Sequence, residues 1–201
     1  MSRLVSEKVS QLKYSDKAEE AYLQISQGFG SINDTITKTR RLRGLFVPAI
    51  LYWQWNKALE CEVDAARLAN IFARDLRGFA DSLSLSKNSG FRKFEVELTT
   101  LPHKFVYTNQ GYVAILIVAY VTSQEELMTV VPGNAVVKFR VLEGEKVIAE
   151  QELQMRMPAT EPEINRYMTT RKYVHRSVVA YYGQLQQLAR LTALRLHELQ
   201  N

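Results

Sequence analysis

The sequence predicts an α+β fold: a two-layer sandwich whose mostly antiparallel sheet of four to five strands is covered by helices, with an N-terminal helical arm and a long C-terminal helix. Three stretches carry that prediction. From Ala49 to Val63 the odd positions read Ala49, Leu51, Trp53, Trp55, Lys57, Leu59, Cys61 and Val63, while Gln54, Asn56, Glu60 and Glu62 take the other parity. A period of two is that of a strand with one apolar face. Asp64 then offers a capping oxygen to a helix in which Ala65, Leu68, Ala69, Phe72, Leu76, Phe79 and Ala80 recur at spacings of three and four. Finally, Val137, Phe139 and Val141 alternate with Lys138 and Arg140, and Glu143-Gly144-Glu145-Lys146 turns the chain into Val147, Ala149, Leu153, Met155 and Met157. Two alternations that agree across a short glycine-containing connection make a hairpin.

A chain of 201 residues with 46% hydrophobic content buries roughly 70% of its unfolded surface, enough for one cored domain without disulfides. The organisation expected is an arm and linker over residues 1–43 followed by a domain over 44–201. The single cysteine, Cys61, sits on the apolar parity of its strand and reads as a small buried hydrophobe, because no second Cys or nearby His completes a ligand set. The net charge of +5 favours acidic partners, but 26 basic residues are interleaved with 21 acidic ones. Only Lys38, Arg40, Arg41 and Arg43 form a dense basic run. No aromatic side chains interleave with it, so the stacking platforms of single-strand binders are missing there.

In chain order, residues 2–29 read as a helical arm, with Val5, Val9, Leu12, Ala18, Tyr22, Ile25 and Phe29 near helical spacing and Gly28 and Gly30 ending it. Ser31 to Arg43 is polar and Thr-rich, a linker or short extended segment. The long strand is expected from Leu45 to Val63 and the helix from Asp64 to Ala80. Serine and glycine at 82–90 reverse the chain, and Phe94, Val96 and Leu98 alternate with charged residues as a second strand that stops at Pro102. Asn109-Gln110-Gly111 suits a tight turn. Tyr112 to Val121 is apolar on both parities and reads as a central strand covered on both faces. Gln124-Glu125-Glu126 reads as part of an exposed loop. Pro162 near a helix start opens a last helix, expected to run to about Leu199, with Val174, Val178, Tyr181, Leu185, Leu188 and Leu191 on one face. It is longer than one core needs, so part of it is expected to meet the arm or a partner.

No nucleophile elbow, metalloprotease helix, phosphate-binding loop or Cys-X-X-Cys pair occurs, and His103, His175 and His197 are far apart in sequence. The expectation is therefore no catalytic residues, no metal and no cofactor. The cluster Tyr52, Trp53, Trp55 is the most distinctive local feature. Sharing a parity, Trp53 and Trp55 are expected to pack under a helix as core anchors; exposed, they would mark a groove for a lipid or peptide. The opening residues turn polar before a signal core forms, and the apolar run at 112–121 is about half of what a spanning helix needs.

With its element order and Tyr52-Trp53-Gln54-Trp55, the helix Asp64 to Ala80, the strand Phe94 to Leu98 and the hairpin around Gly144, the chain resembles auxiliary lipoproteins of the Gram-negative cell envelope, from Leu45 to Leu199. These small proteins assist lipid or lipopolysaccharide transport at the outer membrane. The resemblance implies a non-enzymatic accessory protein that binds a protein or lipid partner, periplasmic or outer-membrane-associated if an upstream signal has been removed. The family's lipid-bearing cysteine follows a signal peptide, whereas Cys61 follows Glu60, so the chain is expected to be a mature fragment or a soluble relative. The alternative is a cytoplasmic adaptor or nucleic-acid-associated protein that uses the run 38–43. Lys38, Arg40, Arg41, Arg43, Tyr52, Trp53 and Trp55 are the candidate partner contacts.

Overall fold

The computed structural model describes residues 22–29, 35–47, 50–85, 92–131, 133–158 and 169–200. In chain order they form β1 (Leu23–Gln27), β2 (Thr35–Val47), β3 (Ile50–Glu62), α1 (Ala65–Ser82), β4 (Arg92–Thr100), β5 (Lys104–Leu116), β6 (Ala119–Val130), β7 (Gly133–Glu143), β8 (Lys146–Met157) and α2 (Thr170–Gln200). The α+β class, the antiparallel pairing and the long C-terminal helix are as expected. The strands, however, divide between two four-stranded sheets, ordered β1-β4-β7-β8 and β2-β3-β5-β6.

The first sheet is the ordinary half of the molecule. Phe94, Val96 and Leu98 of β4 and Val137, Phe139 and Val141 of β7 are buried on its inner face, against Leu68, Phe72 and Leu76 of α1 and Val178, Leu185 and Leu188 of α2. Asp64 caps α1 as its position predicts, accepting from the Ala66 amide at 3.1 Å. The β7–β8 hairpin turns through Gly144, whose φ of +64° suits a residue without a side chain. Helix α2 keeps one side buried along its length, from Val174 to Leu196. Its end is fastened where Arg92 donates to the Gln200 carbonyl (2.8 Å) and Gln200 to the Leu85 carbonyl (3.3 Å). One side of the helix thus packs on the protein's own core, and the helix is described from Thr170; the expected start near Pro162 and the arm it was expected to meet lie outside the described residues.

The N-terminal expectations change most. Residues 23–27, expected to be helical, form β1, parallel to β4 with Leu23 beside Phe94 and Ile25 beside Val96. Leu23 is fully buried, and it is the residue that the helical stripe of Tyr22, Ile25 and Phe29 leaves out. The rest of the arm, residues 2–21, lies outside the described residues. The polar segment from Thr35 to Arg43 belongs to β2, so the boundary between 43 and 44 falls inside a strand. What reads as one strand from Leu45 is the end of β2, up to Val47, and then β3 from Ile50, its antiparallel neighbour. Tyr112 to Val121 is likewise the tip of a hairpin, with Ile117 and Val118 as the turn between β5 and β6. Asn109 to Gly111 lie within β5 and Gln124 to Glu126 within β6.

The chain changes sheets four times, and the exits from β3 and from β6 both touch the crossing between β4 and β5. The Val63 amide donates to the His103 carbonyl (3.0 Å) and the Val131 amide to the Lys104 carbonyl (2.9 Å). Cys61, Phe105 and Val130 are buried beside this junction, Cys61 as the small hydrophobe expected. Tyr181 of α2 closes it: its ring meets Phe105 edge-on with centroids 5.5 Å apart, and its hydroxyl donates to the Pro102 carbonyl. Nearby, Arg74 and Asp75 of α1 hydrogen-bond the Tyr182 hydroxyl and tie the two helices together.

Burial pushes the Tyr181 phenol far above its ordinary value. Above about pH 10 the unfolded chain therefore releases a proton that the native chain holds, so stability falls as pH rises, by up to about 1.4 kcal/mol per pH unit, and no such loss occurs below that point. Tyr182 is also raised, first by burial and then by Asp75, and acts in the same window. Tyr181→Phe is expected to cost about 1–3 kcal/mol at neutral pH, because the Pro102 carbonyl loses its donor, and to flatten the alkaline decline relative to the native protein. Urea midpoints across that pH range measure both; an unchanged alkaline slope would remove Tyr181 from this role.

Candidate binding surface on the second sheet

Rows of residues run straight across the second sheet, since every pairing in it is antiparallel and in register. On one face the rows are Leu42-Trp55-Gly111-Gln124 and Gly44-Trp53-Val113-Thr122; below them runs Arg40-Lys57-Asn109-Glu126. On the other face Arg41-Asn56-Gln110-Glu125 and Arg43-Gln54-Tyr112-Ser123 run below Tyr52 and Ala114. Strands of 13 residues at about 3.4 Å per residue extend roughly 40 Å, and only the end beside Cys61 and Phe105 is buried.

Toward the hairpin ends both faces open to solvent. Trp53 (53% exposed), Ile115 and Tyr120 (64%) lie on one face; Ile50, Tyr112, Leu116 and Val121 lie on the other; and the turn residues Ile117 and Val118 are 81% and 93% exposed. Exposed apolar residues scattered singly are ordinary, whereas a contiguous group of this kind marks a contact surface. No Asp, Glu, Lys or Arg interrupts Gly44 to Asn56 or Phe105 to Gln124.

Among the described residues no helix covers the indoles, and Trp53 is exposed where a core anchor was expected. Trp55 crosses onto β5: a Cβ added to Gly111 would stand 2.6 Å from its ring. Its Nε1 donates to Asn109 (2.7 Å), and Asn109 donates in turn to Glu126 (2.9 Å). Trp53 leans the other way, over Gly44, where an added Cβ would meet its Nε1 at 3.5 Å. The glycines give each indole a flat seat on the neighbouring strand. Tyr52 stacks with Tyr112 on the opposite face, with centroids 6.1 Å apart.

The structure thus gathers Tyr52, Trp53, Trp55 and the basic run on one sheet but divides them by face. Lys38 and Arg40 share a face with the indoles, whereas Arg41 and Arg43 share one with Tyr52 and border a shallow cleft of about 200 Å³ with Gln54 and Asn56. Sequence reasoning missed Ile115 to Val121 as surface, and Glu125 and Glu126 as the charged end of two rows. An apolar run on both parities, ten residues long with no helical flank, was the available signal, because a hairpin tip gives it as readily as a buried strand does.

Among the described residues no three His, Cys, Asp or Glu side chains stand close enough to hold a metal ion. His103 Nδ1 lies 3.0 Å from the Leu101 carbonyl, His175 is exposed and His197 lies near the end of α2. No protein-family model, no curated protein and no solved structure matches the chain.

Proposed function

We propose that the protein is a non-enzymatic accessory of the cell envelope that holds a lipid bilayer by the paired hairpin ends of its second sheet. One observation carries this reading: the apolar residues are exposed on both faces of the sheet and at the turn, so the occupant has to surround the tip. A folded protein covers one face; acyl chains cover all sides. Tyr52, Trp53 and Tyr112 border the apolar end, where amphipathic rings suit the headgroup level. Arg43 stands level with Tyr112, and Arg40, Arg41 and Lys57 follow beneath, each cation worth about 1 kcal/mol near an anionic leaflet. From the Trp55 row to the turn is about 20–25 Å, less than the ~30 Å hydrocarbon core, so the tips enter one leaflet. Among the described residues no helix is long and apolar enough to cross a membrane.

The alternative partner, nucleic acid, is less well served. Its proposed contact is split between the two faces of β2, and the same rows end in Glu125 and Glu126, so a single phosphate track does not meet all four cations. Sedimentation with vesicles decides the matter. Binding to anionic phospholipid vesicles, weaker binding to zwitterionic ones, and a blue shift of tryptophan emission on binding are expected. No binding to either at low salt overturns the reading, and salt-sensitive retention of nucleic acid in its place would establish the alternative.

A further inference from the structure

The hairpin ends are flanked by two open edges. Among the described residues nothing pairs with the outer side of β2 or of β6, and both strands are long, 13 and 12 residues. A long edge of unpaired N–H and C=O groups is a template for another strand, which proteins usually guard with charge. Here the guarding is of opposite sign on the two sides. The β2 edge carries Lys38, Arg40, Arg41 and Arg43, and the β6 edge carries Glu125 and Glu126.

The heights match. Arg41 and Glu125 end one row, and Arg40 and Glu126 end the adjacent row on the other face, where Glu126 also accepts from Asn109 and Gln124. We infer that copies of this chain join edge to edge, β6 of one copy antiparallel to β2 of the next, with Glu125 facing Arg41 and Glu126 facing Arg40. This register continues the in-step pattern of the sheet itself. Of the registers within two residues either way, it alone sets both glutamates opposite cations. Two β2 edges brought together repel each other, as do two β6 edges, so the contact is head-to-tail and repeats into a ring or an open run. Its consequence is a backbone hydrogen-bonded across the copies, the condition for strands to enter hydrocarbon. The pairing is read from the edges and stands apart from lipid binding: assembly without vesicle binding, or the reverse, tells the two apart.

Sedimentation velocity of the full chain, in buffer and in non-ionic detergent, tests it. The native protein is expected to assemble in at least one medium, and Arg41→Glu and Glu125→Arg are each expected to weaken assembly by roughly tenfold per contact. An equimolar mixture of these two variants is expected to recover assembly, since each then presents only opposite charges to the other. Both sites are exposed, so folding is undisturbed. Arg41→Cys/Glu125→Cys and Arg40→Cys/Glu126→Cys provide a covalent reading; adjacent antiparallel pairs alternate between close and wide spacing, so one of the two is expected to give a ladder of disulfide-linked oligomers. A native protein that is monomeric in both media, single variants that assemble as well as it does, or a mixture no better than its parts would overturn the proposal.

Discussion

Replacing Ile117 and Val118 together by aspartate is expected to abolish binding to anionic vesicles, weakening it by more than about a thousandfold. These residues form the turn between β5 and β6 and are 81% and 93% exposed. Burying an isoleucine or valine side chain is worth about 1.5–3 kcal/mol, and an aspartate at depth in the bilayer costs about 2.5–3.5 kcal/mol, so the double change removes the gain and adds a penalty. A thousandfold corresponds to about 4 kcal/mol, within that sum. The folded chain itself is expected to be indifferent, because aspartate is a common turn residue and neither side chain is packed. Vesicle sedimentation beside a thermal melt separates the two effects. Binding equal to that of the native protein would show that the tip is not the contact, whereas lost binding with a lowered melting point would show only misfolding.

The part of the fold that is legible in the sequence is the part in which one face is dry and the other wet. Phe139 and Val141 against Lys138 and Arg140, or Leu68, Phe72 and Leu76 after Asp64, announce their partners because the core itself imposes the period. β1 fails that test for want of length: five residues hold Leu23 and Ile25 against Gln24 and Ser26, too few to outweigh a helical reading of the neighbouring aromatics. The second sheet fails for a different reason. Its strands leave the core after a few residues, so Tyr112 to Val121 carries apolar side chains on both faces, which is also the pattern of a strand buried on both sides. Periodicity reports that a face is apolar and is silent on what covers it. Trp53 and Trp55 were legible as a pair on one face; that they rest on Gly44 and Gly111 is decided by cross-strand register, which periodicity along one strand does not report. The two edges are legible only afterwards, since Arg41 and Glu125 fall into one row only once three pairings are known.

The distinction between a core face and a projecting one gives the second large effect. Phe139→Ala is expected to destabilise the protein by about 3–5 kcal/mol, and Trp53→Ala by less than about 1 kcal/mol, although tryptophan is the larger residue. Phe139 sits on the inner face of β7, an interior strand of the first sheet, 1% exposed and in the cluster that holds Phe94 and Phe72. Its truncation leaves a void that β4 and β8, hydrogen-bonded on either side, hinder from closing. Trp53 has half its surface in water already and rests on a glycine, so its removal costs one cross-strand contact. For a chain of this size the Phe139 change corresponds to a melting point lower by roughly 6–20 °C, and the Trp53 change to a few degrees at most. Near-equal costs would mean that Trp53 is buried in solution and that the hairpin ends are covered by the chain itself. A large gap, with Trp53→Ala keeping its melting point while losing vesicle affinity, places the indole where the lipid reading requires it.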